Sequence, residues 1–153
     1  MAHRIARLEL DVLVLNGLIS VYDDGGDQAE PDVNDLSEWL FVGDNAVVLA
    51  SAGRSDHYAR TALEAWDAEP PADDLGAWEV CGDRELRLDS GDLEVHPGTP
   101  PPYSQLLRAG PPGQYRLRGY SAGRAAIARL TPNPDIYALC GTERFLIQLW
   151  PVP

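Results

Sequence analysis

Residues 119–123 read Gly-Tyr-Ser-Ala-Gly. They satisfy the G-x-S-x-G pattern, which in serine hydrolases exposes a nucleophilic serine on a sharp turn between a strand and a helix. The flanks suit it, because the strand-like "QYRLRGY" precedes Ser121 and the helix-compatible "AGRAAIARL" follows. A serine nucleophile also needs a base to take its proton and an acid to orient that base. The histidines are His3, His57 and His96, so none follows Ser121 as the α/β-hydrolase order requires. Only a different chain order, using His57 or His96, would supply a base. In a chain with 14 glycines such a pattern also arises by chance roughly one time in twenty, which makes it a weak signal. The expectation is that Gly119 and Gly123 let the backbone turn at a strand end while Ser121 bonds locally. The chain is therefore read as a non-enzyme, with a hydrolase using Ser121 as the least favoured alternative.

A second grouping is acidic. Between Asp23 and Glu38 stand seven acids and no base: Asp23, Asp24, Asp27, Glu30, Asp32, Asp35 and Glu38. Such a run is a solvated loop, a binding surface for a basic protein partner, or a calcium site. Calcium loops place oxygen ligands at set intervals around a glycine and close with a glutamate. "DDGGDQAEPDVND" does not keep those intervals, so no metal is assigned, and the seven acids are the candidate partner-binding residues. Arg116, Arg118, Arg124 and Arg129 form a contrasting basic set. They could pair with the acidic segment of a second copy in a homodimer, hold an anion, or simply face solvent. Of the four tryptophans, Trp78 shares the parity of the apolar positions and is expected in the core. Trp66 and Trp150 fall on the opposite parity and are candidates for an exposed patch or a sugar platform. No phosphate-binding loop, H-E-x-x-H pair or dinucleotide fingerprint is present, so no cofactor is assigned.

Composition narrows the function classes. The 153 residues contain no lysine, and 12 arginines stand against 24 acids, a net charge of -12. The phosphate contribution to nucleic-acid binding would be repulsive, which argues against direct contact with DNA or RNA. Residues 1–100 hold 22 of the acids and 6 arginines, whereas residues 101–153 hold 2 acids and 6 arginines, so a polarised surface is expected. Cys81 and Cys140 are too few for a disulfide framework and read as reduced thiols of a cytoplasmic protein. The first apolar run, "LELDVLVLNGLI", carries Glu9 and Asp11, which a secretory signal would exclude. No stretch approaches 18 apolar residues, so no membrane span is expected.

The elements that must position these residues are mostly strands. In "ARLELDVLVL", Leu8, Leu10, Val12 and Val14 share one face, the period of a half-buried strand. Asn16-Gly17 then joins it to "LISVY", a strong hairpin signal, so residues 6–15 and 18–23 are expected to pair. "AVVLASA" reads as a buried strand, "HYARTALEAW" as a strand, "WEVCGDRELRLDSGDLEV" as two or three short strands, and "RFLIQLWPV" as a closing strand with Phe145, Ile147 and Leu149 on one face. A short helical turn is possible at Asp35–Trp39, within "YSQLLR", and after Gly123. About eight or nine short strands with little helix predict a single all-β domain over residues 1–153, an antiparallel, jelly-roll-like sandwich.

Two stretches, the opening strand pair through "ISVYDD" and the segment "PPGQYRLRGYSAGR", resemble the competence protein J family. These are small cytoplasmic proteins whose named activity is inhibition of a DNA-entry nuclease. With the closing "ERFLIQLWPVP", they also look like a group of bacterial proteins from high-GC Gram-positive organisms. The resemblance rests on strand patterns and a P-x-G-x-Y turn, and it brings no catalytic residues. It implies an inhibitor or immunity-type protein whose acidic surface occludes a basic cleft. The alternative is a ligand-binding sandwich for a carbohydrate or calcium.

Overall fold

The computed structural model describes residues 1–96 and 106–153. Among the described residues, ten strands form two five-stranded sheets packed face to face. The first sheet has the order β1 (Arg4–Val14), β5 (His57–Trp66), β10 (Arg144–Pro151), β9 (Gly113–Ala122) and β6 (Val80–Leu88). The second has the order β3 (Leu40–Gly43), β4 (Ala46–Ala50), β2 (Leu18–Asp23), β7 (Asp92–His96) and β8 (Leu107–Arg108). The expected all-β sandwich is therefore present. All strand pairs are antiparallel except β5 with β10, which run parallel. Alternation is the same in either direction, so residue pattern alone carries no signal for that pair.

The core is the space between the sheets. Val12, Val14, Leu63, Leu117, Phe145, Ile147 and Leu149 enter from the first sheet, and Ile19, Val21, Leu40, Val47, Leu49, Leu93 and Val95 from the second. Each is fully or almost fully buried, and each such aliphatic or aromatic side chain contributes about 2 kcal/mol of transfer free energy. In "PPGQY", Tyr115 is buried and its hydroxyl donates to the Pro111 carbonyl at 2.6 Å. That bond closes the turn which opens β9.

The Asn16-Gly17 turn forms as expected. Both residues take positive φ, 53° and 80°, and Leu15 and Leu18 exchange backbone hydrogen bonds of 3.3 and 3.1 Å. The strands on either side do not pair further, which corrects the hairpin expected over 6–15 and 18–23. β1 joins β5, and β2 lies between β4 and β7. Pairing in one sheet would set the apolar faces of β1 and β2 side by side. Separation into two sheets lets those faces look at each other across the core, which buries both.

Segment 67–79 crosses the outer face of the first sheet. It contains a single 3-10 turn, Leu75–Ala77. Asp73 N–H donates to the Tyr120 hydroxyl at 3.0 Å, Arg118 donates to the Pro70 carbonyl at 3.3 Å, and Trp78 Nε1 donates to Asp73 at 2.7 Å. This roof changes the fate of two tryptophans. Trp78, expected in the core, is half-buried and packs instead with Tyr120, Leu146 and Ala62 on the outer face. Trp150, a candidate for an exposed patch, is 5% exposed and lies under the Arg118 guanidinium, 5.3 Å from the ring centre. Trp66 is half-buried. β10 is consequently buried on both faces from Phe145 to Trp150.

The helix after Gly123 is real and short, α1 (Arg124–Leu130). The Asp35–Trp39 segment forms a turn instead of a helix. Within "YSQLLR", Leu107–Arg108 belong to β8, and residues 103–105 lie outside the described residues. Among the described residues, no helix is long and apolar enough to cross a membrane. Cys81 and Cys140 are free and exposed.

Gly123 starts α1 at φ 75°, and a Cβ placed there would lie 1.7 Å from the Thr142 carbonyl oxygen. Gly123→Ala is expected to lower the unfolding free energy by about 3 kcal/mol, from left-handed strain and the backbone clash together. The shift in urea midpoint at unchanged slope measures it.

Candidate functional site

The acidic segment leaves the end of β2 and returns to β3, so both its ends are fixed by the second sheet. Its first acid does not face solvent. Asp23 is fully buried. Its carboxylate accepts from Gly25 N–H at 2.9 Å, Ser90 N–H at 2.8 Å and Gly91 N–H at 2.9 Å, and from the Ser90 hydroxyl. Beside it, Asn45 is fully buried at φ 60°. The Asn45 amide donates to the Asp27 carbonyl at 2.8 Å and to Asp89 at 2.9 Å, and its Oδ1 accepts from Asp89 N–H at 2.8 Å. These two side chains tie the base of the segment to the turn between β6 and β7. Asp23 is thereby removed from the candidate contact surface. A buried carboxylate is tolerable only when hydrogen-bonded, and its donors here are all supplied from within the chain. The Asp-x-Gly signal of a local turn was visible in the sequence, but the donors from Ser90 and Gly91 were not.

The other six predicted acids, Asp24, Asp27, Glu30, Asp32, Asp35 and Glu38, are all exposed. They are also only lightly compensated. Glu30 accepts from the Tyr22 hydroxyl at 3.1 Å, Asp32 from Asn34 N–H at 2.9 Å, and Asp35 from the Ser37 hydroxyl and N–H at 2.6 and 3.0 Å. The Ser37 hydroxyl, and then its N–H, hold the Asp35 carboxyl below its ordinary value. Glu38 pairs with Arg84 at 2.9 Å. Among the described residues, Asp24, Asp27, Glu30, Asp32 and Asp35 make no ion pair. Within the segment Leu36 is 96% exposed. A shallow groove of about 500 Å³ runs alongside, lined by Pro31, Asp32, Asp35, Glu38, Phe41 and Arg84 among others. Among the described residues no three His, Cys, Asp or Glu side chains stand together as a metal-binding group.

The basic set is spent internally. Arg116 pairs with Glu85 at 3.2 Å and Arg118 with Asp83 at 3.1 Å, because β9 lies beside β6. Arg124 lies 3.7 Å from the fully buried Glu143. Only Arg129 of the four is without an ion pair among the described residues. The expected separation of the chain into an acidic and a basic pole is therefore largely cancelled by pairing within the chain.

The G-x-S-x-G serine does not stand on an exposed turn: Gly119 continues β9, and only Gly123 turns the backbone, at φ 75°. Ser121 is fully buried in β9, and its hydroxyl is 3.4 Å from Arg124 Nη1. Gly119 allows the second sheet to approach, since a Cβ there would meet Leu40 at 3.0 Å and Trp39 at 3.1 Å. His57, one of the two histidines that another chain order could use, is 1% exposed. Its Nδ1 donates to the Ser55 carbonyl at 2.9 Å, and its Nε2 faces Glu143 at 3.0 Å. Both ring nitrogens are occupied, and neither is spent on Ser121. Burial opposes charge on this imidazole. The hydrogen bonds to Glu143 and the Ser55 carbonyl, with the nearby charges of Glu143 and Asp56, outweigh it and raise the pKa above the ordinary histidine value.

No protein-family model and no curated protein matches the sequence. Two solved structures share the fold. One is ComJ from Bacillus subtilis, described as an inhibitor of the DNA degrading activity of NucA. It superimposes with a TM-score of 0.61 at 11% identity, over 99% of each chain. The other is described as crocagin biosynthetic gene J, with a TM-score of 0.59 at 19% identity over 97% of this chain and all of that one. At such identities the likeness shows the fold alone.

Two outcomes are expected of the buried titratable groups. Asp23→Asn retains size but turns an amide N–H₂ toward N–H donors, and is expected to cost about 2 to 3 kcal/mol. Burial raises the Asp23 pKa, but the hydrogen bonds from Ser90, Gly91 and Gly25 overcome this and leave it lowered. Its contribution is thus present above the unfolded value of about 3.9 and disappears as pH falls through the folded pKa. Denaturant titrations of both proteins at neutral and acid pH should converge toward the acid end. His57 behaves in the opposite sense. Its raised pKa gives stability that is complete below the unfolded value of about 6.5 and lost as pH rises through the folded one. His57→Gln should flatten that alkaline decline, as followed by urea unfolding between about pH 5 and about pH 9.

Proposed function

We propose that this chain is a non-enzymatic inhibitor or immunity-type protein that binds a basic protein, such as a nuclease, through residues 24–38. The observation that carries the reading is the presentation of the segment. Six exposed carboxylates and the fully exposed Leu36 lie along one loop, whose base is pinned by Asp23 and Asn45. Exposed carboxylates steer a basic partner and speed encounter, while a solvent-exposed leucine on the same loop offers apolar area for an interface anchor. The pinned base lowers the entropy lost on docking. The fold shared with ComJ, itself an inhibitor of a nuclease activity, supports the same class of action. A basic cleft that accepts phosphate is the natural complement of this surface.

The test uses immobilised full-length protein and a lysate of its own cells. Wild type is expected to retain a basic protein that elutes as salt rises. A variant carrying Asn or Gln at Asp24, Asp27, Glu30, Asp32, Asp35 and Glu38 should lose it, and Leu36→Ala should weaken retention by about tenfold at every salt concentration. If the retained protein degrades DNA, added wild type should suppress that activity. Retention indifferent both to the six substitutions and to ionic strength would remove the reading.

A further inference from the structure

β1 forms one edge of the first sheet. Its ladder with β5 shows which of its backbone groups face that edge. Asp11 pairs with Arg60, and Arg60 N–H donates the other way, to the Glu143 carbonyl at 3.1 Å. The pair is therefore a non-hydrogen-bonded one, and such pairs alternate along an antiparallel ladder. The N–H and C=O of Arg7 and Glu9 consequently point to the open edge, where no backbone group meets them among the described residues.

Exposed edges are ordinarily blunted by proline, by charges turned inward or by bulges. The bulge in β1 lies at its start, between Arg4 and Ala6. From Ala6 to Leu10 the inward side chains are Ala6, Leu8 and Leu10, apolar and packed on the core but only half-buried. Their cover is incomplete because β8, which lies over β1 from the second sheet, is two residues long. On the opposite face of β1, Arg7 and Glu9 are exposed. The edge thus offers unpaired backbone, an apolar row on one face and a charged row on the other.

A second copy of β1, running antiparallel, matches both rows in one register. With the two-fold axis at Leu8, Arg7 of each copy faces Glu9 of the other, Leu8 faces its own counterpart, and Ala6 faces Leu10. An axis at Arg7 would set arginine against arginine. An axis at Glu9 would set Glu9 against Glu9, and one at Leu10 would set Glu9 against Asp11. Like charges directly opposite are destabilising and opposite charges favourable, so charge selects the axis at Leu8.

We propose that this chain forms a two-fold homodimer by edge-to-edge pairing of β1 about Leu8, which joins the first sheets of two copies into one continuous sheet. Arg7 and Glu9 of opposite copies exchange backbone hydrogen bonds, and Leu8 meets Leu8 at the closer, non-hydrogen-bonded position. The acidic segment ends on β3, which lies over β6 at the far side of the sandwich. Pairing at β1 leaves that segment exposed in both copies and does not depend on the proposed inhibitor role. The paired stretch is short, and a dissociation constant on the order of 10 to 100 µM is expected.

Sedimentation velocity of the full chain from about 1 µM to about 1 mM is expected to show monomer passing into dimer. Glu9→Arg sets like charges opposite Arg7 in both copies and should raise the dissociation constant by about tenfold. Glu9→Pro removes an N–H that faces only the open edge, and should abolish the dimer while a urea titration shows the chain still folded. Cysteine variants read the register, in a background of Cys81→Ser and Cys140→Ser. Leu8→Cys should give a disulfide-linked dimer on treatment with diamide, because opposed Cβ atoms stand about 4.5 Å apart. Leu10→Cys should not, because its two copies are offset by about 13 Å along the strands. Should Glu9→Pro fail to fold, the two cysteine variants decide. A chain that stays monomeric at about 1 mM would overturn the proposal. So would a dimer indifferent to Glu9→Arg, crosslinking through Leu10→Cys in preference to Leu8→Cys, or a mass that rises only when another protein is added.

Discussion

The hydrogen bonds made by the Asp23 carboxylate are the point on which the acidic surface depends. Acids crowded at this density repel one another, and an unanchored loop would relieve that by spreading into solvent. Asp23 reverses the tendency for the whole run by leaving it. Turned inward, it exchanges water for Gly25, Ser90 and Gly91 N–H donors and the Ser90 hydroxyl. Asn45 repeats the tactic from the neighbouring strand turn. Two buried polar side chains thus hold a segment that has little apolar surface of its own to bury. Farther along, Ala29 crosses directly over Gly43, where a Cβ would stand 2.0 Å from the Ala29 carbonyl oxygen. The segment is laid on the sandwich as a strap, and its six remaining carboxylates face outward as a consequence.

The same logic of internal compensation governs the arginines. The chain divides by charge at about residue 100, but the sandwich does not preserve that division. β9 carries its arginines against the acids of β6, and α1 sets Arg124 against Glu143 and the Trp39 ring. β1 and β5 form a further lattice of Arg7, Glu9, Asp11 and Arg60. Exposed pairs of this kind contribute little stability individually. Their importance lies in what they leave over: a surface where most guanidiniums are committed, and on the second sheet an acidic strap that only Arg84 compensates, through Glu38.

Burial of β10 on both faces ties these regions together. Phe145, Ile147 and Leu149 close the core, and Leu146, Gln148 and Trp150 lie beneath arginines and the roof at 67–79. A strand with both faces covered reads as a nearly continuous apolar run, and "RFLIQLW" is one. That run predicted a strand. It said nothing of the parallel partner β5, and the choice of which alternate face was covered by a second layer depended on a proline-containing segment far earlier in the chain. The same distance effect misplaced Trp78 and Trp150, whose parity was read against a single core.

Local properties were thus fixed by residue order alone. Alternation located most of the strands, since side chains two apart share a face whatever the partner. Asn16-Gly17 specified a tight turn, since few residues adopt positive φ there. The position of the acids ensured that most would be exposed, since unpaired charge resists burial. Tertiary structure alone decided which strands became neighbours, and hence whether Asp23 would find its donors, whether Arg116 and Arg118 would be free, and whether Ser121 would meet a base. Each of those outcomes rests on groups far apart in the chain, and only the joint burial of two apolar faces brings them within hydrogen-bonding distance.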